Sequence, residues 1–419
     1  MNVLKRLNDP QLGREMIRKV RERAARLTER LGRAVTLMEV CGTHTMAVSG
    51  TGLRGLLSGL VELRSGPGCP VCVTPARDIE QIIAFARLSG VTVATFGDMV
   101  RVPGAQSSLE RERAGGARVQ IVYSPADALQ LARDNPRWEV IFIGVGFETT
   151  APLAAVSIKQ AAELGLTNFS IYSVHKLVPP VMGALLGAGD LKVDGFILPG
   201  HVCAVTGSRA FAFIGEEYGI PAVVAGFTPV DILDALYVLL DLIQAGDHRV
   251  VNGYRWVVRD DGNLKAQRAI TDCFYTGDAA WRGFGVVEGS GLFIRDQYAQ
   301  YDATQKFAGA GPASVAGPGL ATERVGKSTT TGGFGTGDFL EPRGCRCGEL
   351  LRGLITPPDC ALFGGKCTPA SPAGPCMVSS EGACAAYYRY VTNQPRLPGV
   401  VNANSGAAGS GAGCRKVEL

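Results

Sequence analysis

The spacing of apolar residues changes along the chain, from a helical repeat to short continuous apolar runs. In residues 10–31 the apolar positions recur at the spacing of one helix face, with Arg and Glu between them. These positions are Leu12, Met16, Val20, Ala24, Leu27 and Leu31. Asp9 and Pro10 form a typical helix start. The pattern predicts an amphipathic helix whose basic face is solvated, with partner docking as the alternative.

After this helix, short apolar runs alternate with segments of helical period. Buried strands are predicted over residues 35–40, 91–96, 119–123, 140–145, 169–174, 195–198 and 222–225. Helices are predicted over residues 76–88, 125–134, 149–164, 178–187 and 229–245. Such alternation favours parallel sheets covered by helices on both faces. We therefore predict an α/β protein with two Rossmann-like parallel-sheet units that face a cleft.

Pattern and composition divide the chain into five predicted segments. Residues 1–130 form a first α/β domain, and residues 131–300 form a second α/β domain with its connections. Residues 301–343 are a flexible Gly-rich linker. Residues 344–400 are a small, irregular, cysteine-rich domain, and residues 401–419 are a disordered tail that includes Cys414.

Composition narrows the function classes. The 419 residues are 46% hydrophobic and 19% charged, with a net charge of +4. Basic residues form no strong nucleic-acid footprint. No apolar run reaches the length of a membrane span, and the first residues lack the apolar core of a signal peptide. We expect a cytoplasmic protein that binds neither nucleic acid nor membrane.

Twelve cysteines are the most informative feature of the composition. A reducing compartment argues against a disulfide framework, and the cysteines are clustered in the way that metal-binding or redox proteins cluster them. Three lie near the N-terminus, namely Cys41, Cys69 and Cys72. Six lie in one later stretch: Cys345, Cys347, Cys360, Cys367, Cys376 and Cys384.

Unusual polar residues follow the predicted strands. Cys41 and His44 follow the first strand, Glu148 follows the strand at 140–145, and His201 and Cys203 follow the strand at 195–198. Ligands of open α/β sheets bind beyond the carboxyl ends of strands, so these residues are candidates for one site. Three of them have a structural alternative: a buried histidine with its hydrogen bonds satisfied for His44, a helix-capping carboxylate for Glu148 and a small buried residue for Cys203.

Cys69 and Cys72 form a C-x-x-C pair, in which two intervening residues bring the sulfurs within disulfide reach. A turn or helix start at this point can lower a thiol pKa, which favours the reactive thiolate. Half of a structural zinc site and a plain buried pair are the alternatives to redox or metal chemistry.

The cysteine-rich stretch is rich in Pro and Gly and has no strong periodicity, so it needs a covalent or metal staple to be ordered. Four thiolates suffice for a [4Fe–4S] cluster or for an all-cysteine zinc site. Zinc ribbons usually present two C-x-x-C knuckles, and this stretch has none. The irregular spacing favours the cluster.

Several long motifs together resemble the HypD family of [NiFe]-hydrogenase maturation proteins. The motifs are MEVCGTHT, SGPGCPVCVTP, GVGFETTAP, PGHVCAVTG and CRCGELLRGLITPPDCALFGGKCTP followed by CMVSSEGACAAYYRY. They stand in the family's order, and the resemblance spans residues 10–393. The Gly-rich stretch 308–338 is longer than the family pattern leads us to expect, but it leaves the motifs intact.

The resemblance implies an assembly scaffold. HypD proteins form a complex with the chaperone HypC and hold an iron that acquires two cyanides and one carbon monoxide before delivery to the hydrogenase large subunit. Cyanide arrives through HypE, which receives its precursor from HypF. By motif match, Cys41 ligates the iron of this Fe(CN)2CO unit, and Cys69 and Cys72 are the redox pair. His44, Glu148 and His201 are the further candidates for the reaction site.

The resemblance also implies a [4Fe–4S] cluster on four C-terminal cysteines, for which we select Cys347, Cys360, Cys367 and Cys384. We hypothesise that electrons pass from this cluster to Cys69 and Cys72 and then to iron, because a dithiol supplies two electrons when it closes a disulfide. An iron–sulfur thiol–disulfide oxidoreductase and a zinc-stapled interaction protein are the other hypotheses. No P-loop or complete G-x-G-x-x-G fingerprint supports nucleotide binding.

Overall fold

The computed structural model describes residues 10–309 and 341–391. Most of the predicted linker, the predicted tail and Cys414 lie outside these residues. The start of the predicted linker belongs to the folded body, because Tyr301 and Ala303 are buried in it.

The strands of the described residues form two parallel sheets and one hairpin. In chain order they are β1 (Val35–Glu39), β2 (Val61–Ser65), β3 (Val91–Thr95), β4 (Arg118–Ile121), β5 (Glu139–Gly144), β6 (Phe169–Ser173), β7 (Gly195–Pro199), β8 (Ala222–Ala225), β9 (Val250–Asn252), β10 (Phe274–Trp281) and β11 (Gly285–Ile294). Sheet A has the order β2-β1-β7-β8-β9, sheet B has the order β4-β3-β5-β6, and β10 pairs with β11 in an antiparallel hairpin. The predicted α/β class with parallel-sheet units is confirmed.

The helices lie mainly between the strands. In chain order they are α1 (Pro10–Leu31), α2 (Gly42–Gly50), α3 (Leu53–Leu56), α4 (Pro70–Val73), α5 (Ala76–Ala86), α6 (Gly97–Val100), α7 (Leu109–Ala114), α8 (Pro125–Asp134), α9 (Ala151–Glu163), α10 (Val178–Gly187), α11 (Gly200–Thr206), α12 (Phe213–Glu216), α13 (Pro229–Ala245), α14 (Leu264–Cys273), α15 (Ala303–Lys306), α16 (Cys347–Leu351), α17 (Pro375–Val378) and α18 (Ala383–Tyr390). Short 3-10 turns cover Arg209–Phe211, Asp296–Tyr301 and Pro357–Asp359. Every predicted strand and helix is present, with ends displaced by at most two residues.

The chain divides between the sheets in a way that the linear pattern does not show. Sheet A takes its strands from both ends of the α/β region, whereas β3 to β6 form sheet B between them. The predicted boundary at residue 130 falls inside sheet B, between β4 and β5, and so does not separate the two sheets. Apolar period identifies a strand but does not specify its neighbours.

The two sheets share one apolar core. Met38 and Phe196 of sheet A, Ile141 of sheet B, and Cys72 and Cys347 belong to one continuous cluster of buried side chains. A second cluster joins α1 and α13 to the outer face of sheet A, and a third joins α8 and α9 to sheet B. The strand-end loops are therefore held in a fixed relation by buried packing.

Residues 341–391, which we call the cap, contain the short helices α16, α17 and α18 and a 3-10 turn. Helix α18 packs against α2, and α16 and α17 pack against α4. The cap thus lies directly on the loops that follow β1 and β2.

Candidate functional site

Both sheets have a point where the strand order reverses, and candidate residues follow the strands at these points. In sheet A the chain moves outward from β1 to β2 and later returns to β7 on the other side of β1. In sheet B it moves from β3 to β4 and returns to β5 on the other side of β3. Loops diverge at such points and leave room for a ligand. Cys41 follows β1, and Glu148 follows β5.

Cys41 is the N-cap residue of α2 and is 9% exposed. Burial and then the carboxyl of Glu381 raise the pKa of Cys41 to about 11, whereas the backbone N–H groups of His44 and Thr43 favour the thiolate. The free thiol is therefore protonated at neutral pH, and a bound cation is what would convert it to a thiolate ligand.

The loop that contains the C-x-x-C pair packs against the Cys41 loop through glycine. The Gly42 N–H donates to the Gly68 carbonyl at 2.9 Å, and a Cβ on Gly68 would lie 2.3 Å from the Cys41 nitrogen. Cys69 and Cys72 form a disulfide at the start of α4, and the Cys72 N–H donates to the Cys69 sulfur at 3.1 Å. A small residue at Gly68 is what lets the disulfide turn approach Cys41.

His44 and His201 both stack on one aromatic ring. The Phe227 ring stacks on His201 at 3.8 Å and on His44 at 4.7 Å between ring centroids. His44 is fully buried, burial lowers its pKa to about 4, and its Nε2 lies 2.9 Å from the Gly226 carbonyl. The neutral ring therefore donates to that carbonyl. His201 is exposed, and desolvation lowers its pKa.

Glu148 is a buried carboxyl that links the loops after β5 and β6 of sheet B. Its Oε1 accepts the Val178 N–H at the start of α10 at 2.9 Å, and its Oε2 has no hydrogen-bond partner among the described residues. Burial raises the pKa of Glu148 to about 7 despite two backbone N–H contacts. Glu148 does cap a helix, but the helix is α10 and not the one that follows it in the chain.

Cys203 lies near both Glu148 and Cys41. Its thiol is fully buried, as the structural alternative expected. Burial and then the charges of Glu148 and Cys41 raise the pKa of Cys203 well above its usual range. A strand end of sheet B and two strand ends of sheet A therefore meet at these three side chains.

The cap contacts this site through residues 379–381. The Thr43 hydroxyl donates to Glu381 Oε1 at 2.7 Å, and the Ser380 N–H and hydroxyl donate to Asp98 Oδ2 at 2.7 and 2.8 Å. Thr43 lies in the first turn of α2, directly after Cys41, whereas Asp98 follows β3 of sheet B. This segment joins the strand ends of the two sheets.

All six cysteines of the cap line one cavity of about 20 Å³. They are Cys345, Cys347, Cys360, Cys367, Cys376 and Cys384. The sulfurs of Cys347 and Cys376 lie 2.7 Å apart, and Cys347 and Cys376 are buried. The predicted ligands Cys347, Cys360, Cys367 and Cys384 are therefore brought together, along with the two cysteines that were left out.

The donor set of this cavity fits a thiolate-bound cluster. Its other lining residues are Arg346, Gly374 and the apolar Leu350, Leu362, Phe363 and Met377, with no carboxylate that would suit a hard cation. Within the described residues, no three or more His, Cys, Asp or Glu side chains have the arrangement that would hold a single metal ion. A [4Fe–4S] cluster takes its cysteines on separate iron atoms, so its ligands surround it and do not converge on one point.

Two charged residues beside the thiols could not be predicted from the sequence. Glu381 acts on Cys41 from 340 positions away in the chain, and Arg282 donates to the Thr74 carbonyl across 208 positions. Neither residue stands in a motif with its partner, and only the packing of the cap and of the β10–β11 hairpin brings them there.

Fold and site define a class: two-sheet α/β proteins that present an isolated thiol and a disulfide pair at strand ends, beside a cavity lined by cysteines. No helix in the described part of the chain is both long and apolar enough to cross a membrane.

Comparison with known proteins identifies the family. The HypD family model, described as "Hydrogenase formation hypA family", matches residues 14–391. The hydrogenase maturation factor HypD of Rhodobacter capsulatus is 42% identical over 395 residues, which cover 93% of this chain and 98% of the relative. HypD of Escherichia coli is 43% identical and covers 91% of this chain, with 96% of the relative aligned. A putative hydrogenase expression/formation protein of Methanocaldococcus jannaschii is 36% identical over 90% of this chain and 98% of its own length. The chain belongs to the HypD family of hydrogenase maturation factors.

Proposed function

We propose that this protein is the scaffold on which the Fe(CN)2CO unit of [NiFe]-hydrogenase is assembled, in complex with a HypC-type chaperone. The observation that carries the proposal is that three sets of cysteines lie on segments that touch one another. The Cys41 loop packs on the Cys69–Cys72 turn, and that turn packs on the helices that carry Cys347 and Cys376. Assembly of an iron unit with strong-field ligands needs a soft ligand and a source of electrons, and these thiols supply both.

Cys41 holds the iron, which is the cargo of the reaction. Its thiol loses its proton when iron binds, and the backbone N–H groups of Thr43 and His44 favour the thiolate. The HypC-type partner supplies a further ligand, HypE supplies cyanide from a precursor made by HypF, and the hydrogenase large subunit receives the product. Glu148, with a pKa of about 7, holds or releases a proton near Cys203.

Cys69 and Cys72 exchange electron pairs. Closing the disulfide from the dithiol forms one S–S bond and releases two electrons and two protons, and reopening takes the same number back. Four of the six cap cysteines hold a [4Fe–4S] cluster, and our choice remains Cys347, Cys360, Cys367 and Cys384. When bound, this cluster supplies electrons one at a time.

The decisive experiment is anaerobic purification of the full chain with its HypC partner, followed by iron, sulfide and zinc analysis and infrared spectroscopy. We expect about four iron and four sulfide for the cluster, together with cyanide and carbon monoxide bands. A Cys41→Ser variant loses the bands and keeps the sulfide.

Cys273→Ser is the matched control, because Cys273 is also buried but contacts the Ala155 carbonyl in another part of the core. It should keep both signals. One zinc without sulfide, or bands that persist in Cys41→Ser, would contradict the proposal.

The position of the disulfide against the cysteine cavity also favours a second function, an iron–sulfur thiol–disulfide oxidoreductase. Catalytic turnover of a small disulfide by the purified protein, in the absence of any infrared band, would support this alternative over the scaffold.

A further inference from the structure

The tip of the β10–β11 hairpin lies between the disulfide turn and the cysteine cavity. Gly283 at the tip has φ +83°, and a Cβ added to it would lie 2.4 Å from the Gly348 Cα, next to Cys347. On the other side, the Arg282 N–H donates to the Val73 carbonyl at 2.8 Å, next to Cys72. The tip therefore contacts the residue next to Cys347 of the cavity and the residue next to Cys72 of the disulfide.

Arg282 binds the disulfide turn through its side chain as well. Its Nη2 and Nε donate to the Thr74 carbonyl at 2.9 and 3.2 Å, and its Nη1 pairs with Glu341 at the start of the cap. The Arg282 side chain is 2% exposed, so its charge is little screened by solvent. One guanidinium thus connects the turn after Cys72 to the cap.

The guanidinium of Arg282 lies beside the cysteine cavity as well as beside the disulfide turn. Its neighbour Gly283 lies against Gly348, next to Cys347, and its Nη1 pairs with Glu341 at the start of the cap. Arg346 is the one cation among the described residues that line the cavity, and its side chain is 39% exposed, so solvent screens its charge more than that of Arg282.

Packing of the hairpin keeps Arg282 in this place. The Trp281 ring stacks on Phe147 at 6.0 Å, its Nε1 donates to Ser290 Oγ at 2.8 Å, and the buried Lys176 donates to the Ala280 carbonyl at 2.7 Å. A cation that is held this firmly has a fixed electrostatic effect on its neighbours.

We propose that Arg282 is a positioning residue that holds the Cys69–Cys72 turn against the cysteine cavity and, through its charge, favours the reduced form of that pair. This inference rests on the redox role given to the pair in the proposed function. A buried positive charge stabilises the thiolate that forms when the S–S bond opens, so its loss disfavours reduction.

The test measures the dithiol–disulfide balance of the full chain in anaerobic glutathione buffers. After acid quenching and alkylation, mass spectrometry of the tryptic peptide 65–77 reports this pair alone, because Cys69 and Cys72 are its only cysteines. We expect Arg282→Gln to shift the equilibrium about tenfold toward the disulfide, about 30 mV for a two-electron couple. Arg282→Lys keeps the charge and should shift it less than about threefold.

Two further variants test the direction in which charge shifts the dithiol–disulfide equilibrium. Glu341→Gln removes the partner carboxylate of Arg282 and should shift the equilibrium toward the dithiol, opposite to Arg282→Gln. Arg295→Gln is the matched control, because Arg295 ends the same hairpin and donates to a backbone carbonyl, that of Thr271, at the exposed surface. It should leave the balance unchanged, and circular dichroism checks that each variant is folded.

A balance in Arg282→Gln equal to that of the unaltered chain, or a Lys variant that shifts as far as the Gln variant, would overturn the inference. In both cases the pair still cycles, so the proposed function stands. A pair that stays oxidised in the unaltered chain across all buffers would overturn the inference and the redox part of the proposed function together.

Discussion

The Cys41 loop and the cysteine cavity both present thiols, but they are built in different ways. Strand β1, which precedes Cys41, is buried along its whole length and pairs with β2 and β7. The loop after it is fixed by the hydrogen bond between Gly42 and Gly68. The position of Cys41 therefore follows from the sheet and needs no ligand.

The cap has no comparable framework. Its described residues contain helices of five, four and eight residues and one isolated bridge, between Phe363 and Cys367. Helices this short are unstable without tertiary support. Three cysteines, Cys347, Cys367 and Cys376, are buried in its interior, where the sheets have mainly Val, Ile and Leu. The difference teaches that the body positions its thiol through the fold, and it predicts that the order of the cap depends on what its thiols bind.

Removal of one cap thiol should have the largest effect and tests the difference between the two regions directly. We expect Cys347→Ser to increase hydrogen exchange across residues 345–390 about a hundredfold or more, because a ligand-dependent segment opens locally when its staple is lost. Exchange in β1 and β5 should stay unchanged. Hydrogen-exchange mass spectrometry of the anaerobically purified chain measures both regions at once.

Cys273→Ser, in the core between α9 and α14, is the control for loss of a buried thiol. It should not alter exchange in the cap. Equal protection of the cap in Cys347→Ser and in the unaltered chain would break the comparison, because the cap would then be stable without its full set of thiols.

Much of the body could be predicted from the sequence. Most predicted strands are short apolar runs because the inner strands of a parallel sheet are buried on both faces. The exception is β4, an edge strand of sheet B that is largely exposed. Once the strands are known, Cys41 and Glu148 are strand-end residues, and the switch points of the sheets explain why these ends carry chemistry.

The remaining features depend on contacts that period and spacing do not encode. Strands β7, β8 and β9 return to sheet A after sheet B is complete, and nothing in their apolar runs specifies this. The β10–β11 hairpin has Gly at several positions and a register shift between Gly277 and Ala279, which hides its alternation. Because Arg282 is positioned by that hairpin, its role could not be predicted from the sequence.

A second way to sharpen the comparison uses pH, because the body has a buried carboxyl at its site and the cysteine cavity has none. The pKa of Glu148 in the folded state is about 7, above its ordinary value of 4.5. The folded state thus binds this proton more tightly than the unfolded state. The resulting stability is fully present below the ordinary value and is lost as the pH rises to about 7.

Glu148→Gln stays neutral and keeps an oxygen for the Val178 N–H. Relative to the unaltered chain, its free energy of unfolding should rise between about pH 5 and pH 8 by up to about 3 kcal/mol, as urea titrations would measure. Glu112→Gln is the control of opposite sign, because the hydrogen bond from Arg87 lowers the pKa of Glu112. The free energy of unfolding of this control should fall by less than about 1 kcal/mol at about pH 8. No gain in Glu148→Gln would contradict the burial of a charge at this site.

The smallest expected effect tests the contact between the two regions. A Cβ on Gly42 would lie 2.5 Å from the Glu381 Cβ and from its carbonyl oxygen, so Gly42→Ala forces the cap away from the Cys41 loop. We expect a loss of about 1–3 kcal/mol in urea unfolding, as in other overpacked sites, with faster hydrogen exchange in α18 and unchanged exchange in β1. Gly13→Ala is the matched control, since no atom lies within 4 Å of its added Cβ in α1, and it should gain up to about 1 kcal/mol. Faster hydrogen exchange in β1 as well would show that the Cys41 loop depends on the cap, which would contradict the comparison.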